Sequence, residues 1–101
     1  MTADQLALVM PGDRTDPHAD ARRLVRDAIE VTAALHGGIV SANAVRVRLV
    51  CLDVPPKVIG QVYAALRREG HLRPEGLERS NDTRGGNAGR WIDTYKWVER
   101  P

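Results

Sequence analysis

Residues 54–72, VPPKVIGQVYAALRREGHL, carry both a helix start and a helix stop, so the rest of the chain must cover one face of a short helix. Pro55 and Pro56 suit the first helical positions, where a missing N–H costs nothing and φ is already set. Ile59, Val62, Tyr63 and Leu66 then fall at i, i+3, i+4 and i+7, a stripe able to lie on a core. Lys57, Gln61, Ala64 and Arg68 occupy the opposite face, where a charge, an amide and a guanidinium are set to touch something. Arg67 and Arg68 complement the negative end of the helix dipole, and Gly70 predicts a left-handed cap. Gly60 costs about 1 kcal/mol against alanine inside such a helix. Close approach of a preceding helix is the expected reason for it.

A chain of 101 residues with 43% apolar content suits one compact domain. Its sequence has no apolar run near the ~18 residues of a membrane span, and no basic leader precedes the apolar patch at residues 6–10. A single cysteine, Cys51, forms no internal disulfide and requires no oxidising compartment. These features predict a cytoplasmic protein with no membrane partner.

The net charge of +2 is too small to argue for nucleic acid alone, so its distribution matters more. Residues 1–20 carry −3, residues 21–53 carry +2 and residues 54–101 carry +3, which puts the basic excess in the body of the chain. A mixed solvated surface would account for the same charges. The thirteen arginines against two lysines also fit a bias in genomic base composition.

In chain order, residues 1–15 read as an N-terminal arm, either frayed or packed on this domain or on a second copy in a homodimer. Residues 16–101 read as the domain. Asp16 and Pro17 predict a helix start, and the helix should run to about His36. Ala21, Leu24, Val25, Ala28, Ile29, Thr32 and Leu35 form its inner stripe. Gly37 supplies the left-handed cap.

Ile39 and Val40 are expected to pair at the edge of a small sheet formed later in the chain. Ser41 predicts the N-cap of a second, shorter helix reaching about Val50, with Ala42, Val45 and Leu49 inward and Arg46 and Arg48 on the flanks. Residues 71–80 are interrupted by Pro74 and Gly76 and should be irregular. Residues 81–89, NDTRGGNAG, read as an exposed loop with nothing expected to pack. Residues 90–99 form a strand with apolar residues on both parities, which leaves its buried face open.

Catalysis has little support. His18, His36 and His71 lack zinc-ligand spacing, and GGNAG is not followed by the Lys-Ser/Thr or the helix of a phosphate loop. Cys51 reads as a buried, inert thiol in an apolar turn, and Asp93 with Glu99 as a solvated edge. No cofactor or metal is expected.

The order is helix, tiny strand, short helix, helix, then a hairpin with a long tip: an α+β fold. Across roughly residues 17–98 the chain resembles the winged helix-turn-helix family, three helices followed by a β-hairpin wing. PPKVIGQVYAALRREGHL looks like the recognition helix and following strand, and ERSNDTRGGNAGR looks like the wing. Small winged-helix proteins of actinobacterial phages have a similar rhythm.

The resemblance implies binding of double-stranded DNA, as a small transcriptional regulator or phage accessory protein. The second helix of the pair would enter the major groove and the wing would reach an adjacent phosphate or the minor groove. Gln61 would then pair with an adenine edge, and Lys57, Arg67 and Arg68 with guanine or phosphate. Arg79, Arg84 and Arg90 would neutralise backbone charge, and Ser41 would hold a phosphate at its helix N-terminus. The alternative is a module that binds a host or partner protein, with Trp91, Tyr95 and Trp97 as exposed anchors.

Overall fold

The structure, a computed structural model, describes residues 18–83 and 86–101. The N-terminal arm, the Asp16–Pro17 helix start and Arg84 lie outside the described residues. Three helices and a three-stranded antiparallel sheet alternate as α1 (Ala19–Leu35), β1 (Ile39–Val40), α2 (Ala42–Leu49), α3 (Pro56–Arg68), β2 (Leu72–Arg79) and β3 (Trp91–Trp97), giving an α+β architecture. The sheet order is β1-β3-β2, so the last strand lies in the middle.

Helix α1 buries Val25, Ala28, Ile29, Thr32 and Ala33. The expected inner stripe was too wide: Leu24 and Leu35 are 41% and 62% exposed, and Ala33 belongs to the core instead. Leu24, Ala28, Val31 and Leu35 form a neighbouring strip of which only Ala28 is covered. Periodicity marks both strips as apolar, but the space available to the partners covers only one. The buried Thr32 hydroxyl donates to the Ala28 carbonyl at 2.7 Å, which removes the cost of an unpaired polar group. The helix ends as Gly37 and Gly38 take positive φ and the Gly38 N–H donates to the Ala33 carbonyl.

Ser41 caps α2, its hydroxyl oxygen accepting from the Ala44 N–H at 3.3 Å, while Val45 and Leu49 point into the core. A short turn through Asp53, whose φ is 27°, leads into α3. Pro55 is the N-cap of α3 and only Pro56 is helical. The buried line is Val58, Val62 and Leu66, with Ile59 and Tyr63 half-buried beside it. At the other end the His71 N–H donates to the Leu66 carbonyl and the Gly70 N–H to the Arg67 carbonyl, with Gly70 at φ 87°. These are the paired bonds of a Schellman cap.

Gly60 does not face α2. A Cβ built there meets nothing within 4 Å, so no neighbouring helix explains the glycine. Gly60→Ala is therefore expected to stabilise the domain by about 0.5–1 kcal/mol, since it restricts the unfolded chain and removes a helix-interior glycine. Thermal unfolding checks this, and an unchanged or lower midpoint would contradict it.

β2 is continuous to Arg79, where an irregular segment was expected. It lies at the edge of the sheet, where a proline's missing N–H is tolerated, and its pairing with β3 shifts register between Pro74 and Gly76. That shift answers the question of the two parities. Tyr95 and Trp97 are covered at the base of β3, while beyond the shift the half-buried residues are Thr94 and Ile92, and Asp93 and Trp91 are exposed. A bulge increases local twist, so the covered side of β3 changes where its partner is kinked.

Candidate nucleic-acid interface

On α3, Lys57, Gln61, Ala64, Arg67 and Arg68 are all exposed. Among the described residues, none of the side chains of Lys57, Gln61, Arg67 or Arg68 takes part in a hydrogen bond or ion pair. The core line Val58–Val62–Leu66 fixes the orientation. At roughly 100° of rotation per residue, Gly60 and Ala64 form the outermost ridge. Lys57, Gln61 and Arg68 lie on one flank of that ridge, and Arg67 on the other with Tyr63. The flank of Gln61 turns towards α1 and shares a groove there with Arg22, Arg23 and Arg26.

The sequence-predicted residues of the hairpin and of the α2 N-terminus are placed differently. Glu78 occupies the position expected for a phosphate at Ser41: the hydroxyl lies 2.7 and 2.9 Å from the two carboxylate oxygens. A carboxylate at a helix N-terminus satisfies the same dipole that would attract a phosphate, so Ser41 is not part of the open cationic surface. The Arg79 guanidinium donates to the Gly89 carbonyl at 2.8 Å and stacks 4.5 Å from the centre of the Trp91 ring, which commits it to the hairpin. The Arg90 side chain is exposed, while its backbone closes the hairpin: its carbonyl accepts from the Ser80 N–H at 2.8 Å.

Sequence reasoning missed the cluster that ties the hairpin to α2. The Arg46 guanidinium donates to Asn43 Oδ1 and, at 3.2 Å, to Asn81 Oδ1, and lies 3.4 Å from Ser80 Oγ and 3.9 Å from an Asp82 carboxylate oxygen. Asn43 reaches the same place, donating from Nδ2 to the Arg79 carbonyl and accepting from the Asn81 N–H. The loop expected to hold nothing that packs is thus anchored at its first two residues by polar groups. Its partners are 34 to 38 residues apart in sequence, and no local pattern marks them.

The aromatic residues also divide. Tyr95 is 9% exposed, and Trp97 is half-buried and stacked on His71 at 5.0 Å, so neither is an open anchor. Trp91 is 59% exposed and Leu77, on the facing strand, 63%. Tyr63 lies 6.0 Å from Tyr95, and its buried hydroxyl has no hydrogen-bond partner among the described residues. Burial pushes the Tyr63 hydroxyl well above the usual phenol pKa, with the Arg46 charge opposing weakly, so the group stays protonated.

Cys51 is exposed rather than buried in its turn, because the α2–α3 connection runs over the surface. Among the described residues, no group of three or more His, Cys, Asp or Glu is placed to hold a metal ion, and no helix is long and apolar enough to cross a membrane. Comparison of the chain with models of protein families finds no match, and searches of curated proteins and of solved structures find none.

Proposed function

We propose that this domain binds double-stranded DNA as a winged helix-turn-helix, with α2 and α3 as the helical pair, α3 in the major groove and the β2–β3 hairpin as the wing. It would serve as a small transcriptional regulator or accessory DNA-binding protein. The observation that carries the reading is the outer face of α3, where Lys57, Gln61, Arg67 and Arg68 project without intramolecular partners among the described residues. A helix fits the width of the major groove, and an unpaired amide between cations suits a base edge flanked by phosphates. The small ridge of Gly60 and Ala64 leaves the helix backbone close to whatever it meets.

A salt-titrated binding assay on random duplex DNA, followed by selection of preferred sites, tests the reading. Gln61→Ala is expected to cost about 1–3 kcal/mol at the preferred site and to relax one base position. Lys57→Ala and Arg68→Ala are each expected to weaken all duplexes alike and to lower the salt slope by about one unit. Wild-type protein that binds no duplex at low salt would end the proposal.

One observation favours a second reading, a protein-interaction module. Trp91 and Leu77 are exposed together on the hairpin, and tryptophan is enriched among residues that dominate protein interfaces. Under that reading Trp91→Ala abolishes partner capture while the three α3 substitutions change nothing.

A further inference from the structure

Helix α1 is apolar on two sides. Its core line includes Val25, Ile29 and Thr32, and beside it Leu24, Ala28, Val31 and Leu35 recur at i, i+4, i+7 and i+11, one continuous strip at about 100° of rotation per residue. Ala28 is covered, but Leu24, Val31 and Leu35 are 41%, 43% and 62% exposed. The strip is about 16 Å long. It lies on the flank of α1 away from Arg22 and Arg26, which face the groove with α3, and Asp20 and Asp27 mark its outer edge. A single exposed leucine is ordinary, whereas three aliphatic side chains in register make a face that a further segment can cover.

The chain carries such a segment. Residues 6–10, Leu-Ala-Leu-Val-Met, are an uncharged apolar run that lies outside the described residues. Their place in the sequence suits the strip. Drawn out, the run spans at most about 14 Å, close to the length of the strip. Met10 stands eight residues before His18, the N-cap of α1, and the chain between them can extend over about 26 Å. Leu24 lies only about 9 Å along the helix from His18. Met10 can therefore sit beside Leu24 and Leu6 between Val31 and Leu35, with slack left for the chain to reverse direction. Pro11, Gly12, Asp13 and Pro17 are the residue types that make such a reversal. The charges of the segment, Asp4, Asp13, Arg14 and Asp16, all fall outside the run, so none has to enter the strip.

We propose that residues 6–10 fold back on α1 and dock on the strip of Leu24, Val31 and Leu35 in the same molecule. Removal of apolar surface from water drives the contact. The short tether decides between this molecule and a second copy, because it holds the run at an effective concentration of roughly millimolar order, which dilute protein does not match. The strip and the groove with α3 lie on opposite flanks of α1, so the docked run leaves Lys57, Gln61 and Arg68 open. The proposal stands independently of the DNA reading.

The test uses the full chain with Cys51→Ser, which removes an exposed thiol, and Gln5→Cys, which places a nitroxide label beside the run. Methyl NMR spectra are compared with the nitroxide oxidised and reduced. The Leu24, Val31 and Leu35 methyls are expected to lose most of their intensity in the oxidised form, while Leu77, exposed on β2, keeps its own. Adding Leu6→Asn/Leu8→Asn should restore the α1 signals. Unchanged shifts of the buried Val25 and Ile29 methyls confirm that this variant is folded. The chain with its natural run is measured first and decides the matter even where the asparagine variant weakens the fold.

A mixture of isotope-labelled chain without nitroxide and unlabelled chain with it isolates contacts between copies. Strip signals that stay sharp in the mixture support docking within one molecule. Broadening in the mixture as strong as in the singly labelled sample would mean that a second copy covers the strip, and would overturn the proposal. Strip methyls that broaden no more than those of Leu77 would overturn it outright. Broadening that survives Leu6→Asn/Leu8→Asn would do the same, since the apolar run would then not be what docks.

Discussion

Leu66→Ala is expected to destabilise the domain by about 2–5 kcal/mol, the range for deleting a large aliphatic side chain from a closed core. Leu66 is 1% exposed and belongs to the core formed by α1, α2, α3, β1, β2 and Tyr95 of β3. Small domains have only about 5–15 kcal/mol of net stability, so this one change removes a large part of it. The Schellman cap limits relaxation, because the Leu66 carbonyl accepts the His71 N–H and holds the last turn where it is. Urea unfolding should show a lower midpoint at an unchanged m-value. A loss below about 1 kcal/mol would mean that the core collapses around the missing side chain.

Arg46→Ala is the second large effect. Its guanidinium bonds two asparagine side-chain oxygens and lies within reach of Ser80 Oγ and the Asp82 carboxylate, and Ser80 is only 5% exposed. A charged hydrogen bond of this kind contributes about 1.5–3 kcal/mol, and the partners left behind lose theirs as well. We expect a loss of about 2 kcal/mol, together with faster amide exchange at Ser80 and Asn81 and unchanged protection in α1. Arg46→Lys should not restore the hairpin, since one ammonium cannot span the partners that a planar fork reaches. Unchanged exchange at the hairpin would show that the backbone bonds between Ser80 and residues 89–90 hold the tip without α2.

The two changes separate what holds the molecule together from what aims its parts. Leu66 acts through burial, which is nondirectional, and its loss should lower the stability of every element. Arg46 acts through directed bonds, so its loss should appear first where they end. If the hairpin serves as a wing, Arg46→Ala should also alter DNA affinity at temperatures where the domain remains folded.

Helix limits were legible in the sequence because local chemistry sets them. Ser41, Pro56, Gly37 and Gly70 act within three or four residues of themselves, through a cap, a fixed φ or a left-handed turn, and the structure places each accordingly. The polar outer face of α3 was legible for a related reason: helical period alone puts Lys57, Gln61 and Arg68 opposite Val62 and Leu66. The pairing of Ile39 and Val40 with a later strand followed from their being too short to stand alone.

What only the tertiary structure decided are the choices that depend on a distant partner. Two apolar strips of α1 are equally hydrophobic in sequence, and packing selects the one with Ala33 over the one with Leu35. Gly60 lies on open surface, where a Cβ built on it meets nothing within 4 Å. The covered side of β3 changes opposite the Pro74–Gly76 shift, which no property of β3 itself foretells. Ser41 and Arg79 read as phosphate contacts until Glu78, Gly89 and Trp91 are brought against them, and Arg46 reads as a solvated flank until the hairpin closes on it. A residue's propensity is written in its neighbours along the chain, whereas the partner of a polar side chain is set by the fold, across separations of 34 to 38 residues.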